Sequence, residues 1–155
     1  MAERPKIMPC LWFDDDAEDA MRFYAELFDD FVEHEVTRFG GKVLTVVFEI
    51  AGQRIMGLNG GPKFRLTEAI SLFVRCDDQA EVDRYWSYLT ADGGKESMCG
   101  WLEDKYGLSW QIVPDALPRL RGHEDREGAR RATEAMLKMR KIDIAGLEAA
   151  FRGEA

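Results

Sequence analysis

Hydrophobic residues change their spacing along the chain in a repeating order. Ile7 to Phe13 is an almost unbroken apolar run, which predicts a buried strand. Asp14-Asp15-Asp16 follows, and then Ala17, Ala20, Met21, Tyr24, Leu27 and Phe28 recur at the 3.6-residue spacing of a helix. Three strand-like runs come next, at about 31–39, 42–50 and 53–59, separated by Gly40-Gly41 and by Gly52. Such short Gly-containing separations predict a hairpin meander. Within the second run Leu44, Val46, Phe48 and Ile50 share one face, while Thr45, Val47 and Glu49 share the other. One sheet face is therefore expected to be core and the other mixed.

The same order then begins again. Ala69 to Cys76 reads as a strand, Asp77-Asp78 as a cap, and Val82, Tyr85, Trp86 and Leu89 as a helical stripe. A shift of 62 residues places Asp15-Asp16 on Asp77-Asp78, Arg22 on Arg84, Phe23-Tyr24 on Tyr85-Trp86 and Leu27 on Leu89. Short strands are expected at about 95–99, 100–104 and 108–113 after Gly93-Gly94, with Tyr106-Gly107 as a turn. The pattern predicts an α+β fold of tandem βαβββ repeats forming curved mixed sheets. Each repeat is too small to bury a core alone but can do so when paired. The body is taken as residues 1–114, with repeats at about 7–61 and 69–114. Beyond it, Ala129, Ala132, Met136, Met139, Ile144, Leu147 and Phe151 recur at helical spacing, so residues 115–155 form an amphipathic helical tail. Pro114 and Pro118 mark the handover and Asp143 is a plausible N-cap. A tail with an apolar face must dock on the body or on a partner subunit.

Composition narrows the function. The chain has 155 residues and a net charge of −8, with a pI near 4.9. The acidity sits in residues 1–114, which hold 12 basic and 21 acidic side chains against 9 and 8 in the tail. No positive footprint for phosphate-backbone binding exists, and no apolar stretch approaches a membrane span, so neither nucleic acid nor membrane is an expected partner. No secretory leader pattern is present, and Cys10, Cys76 and Cys99 form no close pair. These features predict reduced thiols and a cytoplasmic location.

Candidate chemistry is sparse. The acidic run at 14–16 fits capping and solvation, with Asp15 and Glu18 as a capping pair. His34 and His123 are the only histidines. Glu33 and Glu35 are expected on the opposite strand face from His34, so that Glu-His-Glu does not converge. His123 lies in a charged link before a tail helix. Neither nucleophilic catalysis nor a histidine-based metal site is supported by these positions. Cys99 beside Gly100-Trp101 is the more interesting thiol, although buried cysteines commonly act as small apolar residues. Neither strand-to-helix turn is glycine-rich, as a nucleotide-like methyl donor typically requires.

The tandem βαβββ order with an acidic cap and a helix carrying Phe23-Tyr24 resembles the vicinal oxygen chelate (glyoxalase/bleomycin resistance protein/dioxygenase) superfamily. The resemblance covers residues 7–114. The stretches Pro9 to Phe13, Leu58 to Pro62, Ala69-Ile70-Ser71 and above all Cys99 to Gln111 resemble its PhnB-like branch, members of which are often labelled 3-demethylubiquinone-9 3-methyltransferase. Met136 to Lys141 leading into Ile142-Asp143-Ile144 is similar to that branch as well. The resemblance implies an open trough in each curved sheet, and homodimers, sometimes with exchanged repeats. In metal-dependent members it implies a His or Glu ligand on the first and last strands of each repeat. Those positions fall here at Pro9, Met56, Ser71 and Gln111, with Met56 placed to within a residue or so. Proline, methionine, serine and glutamine do not make a normal divalent site, so no metal and no cofactor are expected.

What remains is a trough lined, by strand alternation, with Pro9, Leu11, Ser71, Phe73, Arg75, Ser109 and Gln111, and with Met56. An apolar surface with a few polar anchors is how small-molecule pockets are built. Cys99 and Trp101 are further candidates; Trp101 and Trp110 could each be core. Asn59 could close a loop or bond a ligand, and Asp104 with Gly107 serves the turn. Three readings stay open: an enzyme of the superfamily that has lost or altered its metal site, a ligand-sequestering binder favouring flat or cationic molecules, and an interaction module with a filled trough. A metal-dependent lyase, isomerase or dioxygenase, or the labelled methyltransferase, is the remaining enzymatic alternative.

Overall fold

The computed structural model describes residues 3–154, and the chain divides into two compact units at Leu66/Thr67. The first unit runs β1 (Cys10–Phe13), α1 (Ala17–Leu27), β2 (Val32–Phe39), β3 (Lys42–Ile50) and β4 (Gln53–Asn59). Its sheet has the order β1-β4-β3-β2, with β1 parallel to β4 and the meander antiparallel. Ala17, Ala20, Met21, Tyr24 and Leu27 of α1 are buried, as are Leu11, Phe13, Val46, Phe48, Ile50 and Ile55 of the strands. The helix lies so close to the sheet that a Cβ on Gly57 would stand 2.9 Å from Val46 Cγ2 and 3.3 Å from Ala17 Cβ. Glycine is what permits that approach.

The first strand is shorter than the apolar run suggests. Ile7 lies outside the ladder and is 85% exposed. Nor does Asp15 pair with Glu18 at the helix start: Asp16 is the N-cap position and makes no side-chain cap bond. Instead Asn59, at the end of the adjacent β4, accepts a hydrogen bond from the Ala17 N–H at 2.9 Å and donates to the Val43 carbonyl at 3.1 Å. A tertiary neighbour has taken over a local cap. Burial, which outweighs a backbone hydrogen bond, pushes the Asp16 carboxyl up, and the neighbouring Asp15, Asp14 and Asp19 add to the effect.

The second unit repeats the plan with β5 (Ser71–Cys76), α2 (Gln79–Thr90), β6 (Lys95–Glu96), β7 (Trp101–Glu103) and β8 (Ser109–Pro114). The order β5-β8-β7-β6, again parallel at its first pair, reproduces that of the first sheet. Here the expected cap forms: Asp78 accepts from the Glu81 N–H at 2.9 Å while Glu81 accepts from the Asp77 N–H at 2.7 Å. Val82, Trp86 and Leu89 bury the inner face of α2. Trp110 is core, and its indole N–H donates to the buried Asp104 carboxylate at 2.9 Å.

Three helices complete this unit: α3 (Ala116–Arg121), α4 (Arg126–Met136) and α5 (Ile144–Phe151). Leu117, Leu120, Ala132, Met136, Ile142 and Leu147 form one buried cluster with Val113 of β8. The segment between α4 and α5 is fastened to the sheet by main-chain bonds, Cys99 N–H to Met139 O at 2.7 Å and Gly100 N–H to Arg140 O at 2.8 Å. Gln79 clasps it from the other side, donating to Ile142 O at 3.0 Å and accepting from Ile144 N–H at 2.8 Å. Because residues 97–100 turn to meet this segment, β6 stops at Glu96 instead of running on to 99. Among the described residues no helix is long and apolar enough to cross a membrane.

The thiols differ in environment. Cys76 is fully buried at the end of β5, and desolvation, helped by the nearby carboxylates Glu81, Asp115, Asp77 and Asp78, pushes its pKa up to about 12. At pH 8 only about one Cys76 in ten thousand is then a thiolate, the species that reacts. Brief alkylation of the native chain at pH 8 is expected to leave Cys76 unmodified by mass spectrometry. Modification of Cys76 at the rate of the denatured chain would refute its burial.

Candidate functional site

Each sheet has one face covered by its own helix and an opposite face which that helix leaves open; in the second sheet the C-terminal helices pack on Val113 at the far end of that opposite face. Which residues stand on the open face is set by register, and register separates two of the sequence expectations. In the first unit β1 ends at Phe13 and the helix starts at Ala17; in the second β5 ends at Cys76 and the helix starts at Gln79. The first turn is one residue longer. The helices therefore align at an offset of 62 but the strands at 63, which Phe13 and Cys76 confirm by the same bond, carbonyl to the N–H beyond the paired strand. A slip of one residue moves a strand's whole side-chain set to the other face.

The consequence is a correction. Leu11 pairs with Gly57 under α1 and is 1% exposed, so it is a core residue and lines no ligand surface. Cys10 and Trp12 occupy the open face instead, with Met56 directly opposite Cys10 and Leu58 opposite Trp12. Desolvation pushes the Cys10 thiol up, which disfavours its thiolate. The Trp12 indole N–H is already engaged, donating to Gly61 O at 2.9 Å, and its ring meets Phe64 edge-on. Arg54, Glu49 and His34 form a polar row on this unit, with Glu49 accepting from Arg54 at 3.4 Å and 3.1 Å from His34. A bulge at His34 lets Glu33 and Glu35 pair with the adjacent Phe48 and Val47. Those two glutamates therefore point to opposite faces, contrary to simple alternation.

The second unit brings more of the expected residues together. Phe73, Gln111 and Trp101 stand in one cross-strand row, and Ser71, Ser109 and Glu103 in the next. Gln111 donates from Nε2 to Ser71 Oγ at 3.0 Å, tying the two rows. Phe73 presents its ring at 57% exposure, whereas Ser109 is 2% exposed. Trp101 is half-buried on this face; Trp110, one register position from Gln111, points into the core.

Three other candidates lie elsewhere. Arg75 makes a bidentate pair with Asp115, at 3.0 and 3.1 Å, in a groove at the C-terminal end of β5. Cys99 sits in a left-handed conformation and packs on the C-terminal helical cluster, away from the Ser71–Gln111 pair. Asn59 caps α1, as described. His123 is likewise structural, accepting from the Asp125 N–H at 3.0 Å and meeting Phe151 edge-on. Cys10, Trp12 and Glu103 are the residues that sequence reasoning missed. The length of each strand-to-helix turn would have pointed to the first two.

The donor set can be tested against a divalent metal. Ser71 and Gln111 are neutral and hydrogen-bonded to one another, Met56 is opposite a thiol with a raised pKa, and no group of three or more His, Cys, Asp or Glu side chains converges among the described residues. Zinc, iron and nickel need imidazole, carboxylate or thiolate, so these residues do not fit the metal the superfamily implies.

Duplicated βαβββ units with the strand order repeated, one open face each, and C-terminal helices define a protein of the vicinal oxygen chelate fold. The chain belongs to the 3-demethylubiquinone-9 3-methyltransferase family, whose model matches residues 5–113. It is similar to the PhnB protein of Bacillus cereus, which carries the same family description, at 32% identity over 71% of this chain and 99% of that one, with a TM-score of 0.65. A glyoxalase/bleomycin resistance protein/dioxygenase domain from Frankia has a similar fold, at 13% identity over 81% of this chain and 97% of that one, with a TM-score of 0.50. So does the fosfomycin resistance protein of Listeria monocytogenes, at 17% identity over 70% and 88% with a TM-score of 0.51. No curated protein matches the chain.

Proposed function

We propose that the chain binds a small organic molecule on the open face of its second sheet, and does so without a divalent ion at the positions its superfamily uses. The observation that carries this reading is the Gln111–Ser71 hydrogen bond, flanked by the exposed Phe73 ring and by Trp101. An apolar wall with a preset polar pair offers area for burial and a directional anchor. Gln111 keeps acceptor capacity at Oε1 and Ser71 can still donate, so a polar group of a ligand can join the pair without breaking it.

The methyl transfer named in the family description needs a methyl donor, and the strand-to-helix turns do not fit a nucleotide-like one. Asp78 already caps the first turn of α2, Asn59 that of α1, and both turns carry carboxylates where glycine N–H groups would be needed.

The test is a screen of small aromatic fragments against the full chain by amide and side-chain NMR, alongside equilibration with Zn²⁺ and Ni²⁺ followed by metal analysis. Fragment-induced shifts are expected to cluster at Ser71, Phe73, Trp101 and Gln111, and Gln111→Ala is expected to weaken the hits roughly tenfold. Bound metal is expected well below one per chain and unchanged by Gln111→Ala. Shifts confined to other surfaces would refute the binding reading, and one tightly held ion lost with Gln111 would refute the metal-free one.

A further inference from the structure

Asn59 is the only asparagine of the chain, and Gly60 follows it. An asparagine side chain can close a cyclic imide with the next backbone nitrogen, and glycine at that position hinders the approach least because it has no Cβ. Here each reacting group is engaged elsewhere. Gly60 N–H, the nucleophile, donates to Phe13 O at 2.9 Å. The Asn59 carboxamide is held at both ends, Oδ1 accepting from the Ala17 N–H at 2.9 Å and Nδ2 donating to Val43 O at 3.1 Å. Asn59 also pairs with Phe13 in the parallel ladder, so its backbone is extended. Ring closure swings Gly60 N towards Asn59 Cγ and therefore requires β4 to part from β1 at this end.

Packing demands both residues of this labile pair. A Cβ on Gly60 would overlap the Trp12 ring, which is fixed by its indole bond to Gly61 O. Gly61 N–H in turn donates to Asp14 O at 3.0 Å. At position 59 one short side chain must offer an acceptor to α1 and a donor to β3, which a carboxamide does and a carboxylate does not. The dipeptide that is reactive in the open chain is thus the one that the closed structure needs.

We infer that Asn59-Gly60 is a modification site gated by the fold of the first unit, silent while β1 and β4 are paired and hydrolytically deamidated when this end opens. Gly60 N bonds to Asn59 Cγ, the Cγ–Nδ2 bond breaks, and ammonia leaves with the Gly60 proton. Water then opens the imide at either carbonyl, giving aspartate or isoaspartate; one water is taken up and one ammonia released. Neither product rebuilds the clamp. Aspartate has no donor for Val43 O, and it adds a carboxylate to a cleft lined by Asp14, Asp15, Glu18 and Asp19 with Lys42 as its one basic residue. Isoaspartate lengthens the main chain at the residue paired with Phe13 and so disturbs the ladder. Opening is thereby made irreversible in the chains that react, whatever the second sheet binds.

The full chain is aged at pH 8 in buffer and in denaturing urea, and the conversion of amide to acid is followed by intact mass and located by peptide mapping. Deamidation at Asn59 is expected to be at least roughly tenfold slower in buffer than in urea, since only locally opened chains react. As urea is raised below the unfolding transition, the rate is expected to climb together with hydrogen exchange at the Gly60 amide. Chains deamidated in urea and returned to buffer are expected to melt at a lower temperature than fresh chains, as is Asn59→Asp. Equal rates in buffer and urea overturn the gate, and so does a rate that stays flat while Gly60 exchange accelerates. Deamidated chains that melt with the fresh ones overturn the irreversibility. The rates are read on the wild-type chain, so they decide the gate whether or not Asn59→Asp folds.

Discussion

Asp104→Ala is expected to cost about 3–5 kcal/mol of stability and to lower the melting temperature by roughly 10 °C. The carboxylate is 2% exposed and organises the turn between β7 and β8. Its Oδ1 accepts from the Tyr106 N–H at 2.8 Å and the Leu108 N–H at 3.1 Å, and its Oδ2 accepts from the Trp110 indole at 2.9 Å. Removing the acceptor leaves three donors short of a partner, two of them on fully buried residues, and each such loss costs more than the bond contributed. Asp104→Asn keeps the volume and separates chemistry from packing. One amide oxygen can still serve the two main-chain donors, but the amide NH₂ then faces the indole N–H, donor against donor. Asn is therefore expected to fall between the wild type and Ala. Urea unfolding followed by tryptophan fluorescence reads all three chains. A loss below about 1 kcal/mol for Ala would mean that water reaches these donors and that the turn is not sealed.

Gly100→Ala is expected to be nearly as damaging, at about 3 kcal/mol. The backbone at Gly100 has φ +82°, a region that costs side-chain-bearing residues on its own account. A Cβ there would also stand 2.9 Å from the Ile112 carbonyl oxygen and 3.1 Å from Ile142 Cγ1. The first contact is to backbone within the sheet, so it cannot be relieved by rotating a side chain. The second is to the residue that seals the C-terminal helices onto the unit. Relief through that route would loosen the bonds from Cys99 and Gly100 to Met139 and Arg140. Faster hydrogen exchange at the amides of Cys99 and Gly100, with little change at α1, is the expected signature. Uniform acceleration across both units would refute the local account.

The architecture was largely legible because it depends on spacing. Val46, Phe48 and Ile50 alternate and are buried; Ala20, Met21, Tyr24 and Leu27 follow helical spacing and are buried under the same sheet. Repetition of strand, acidic turn and helix is enough to announce the duplication. Facing was harder. The 62-residue offset is true of the helices but not of the strands, and that single residue placed Leu11 on the wrong side. A bulge, which no hydrophobic pattern reports, did the same for Glu33 and Glu35.

The sequence by itself determined the element order, the apolar face of the helices, and Asp104 as a turn residue. All are properties of residue type and period, which local geometry converts into structure without reference to distant neighbours. Only the tertiary structure decided that Asn59 caps a helix 42 residues away, that Arg75 is spent on Asp115, that Cys99 belongs to the helical cluster, and that Gln111 bonds Ser71. Each of those depends on which strands lie side by side and in what register. A hydrogen bond reaches about 3 Å, so its existence is settled only when chain segments far apart in sequence have been brought to that distance.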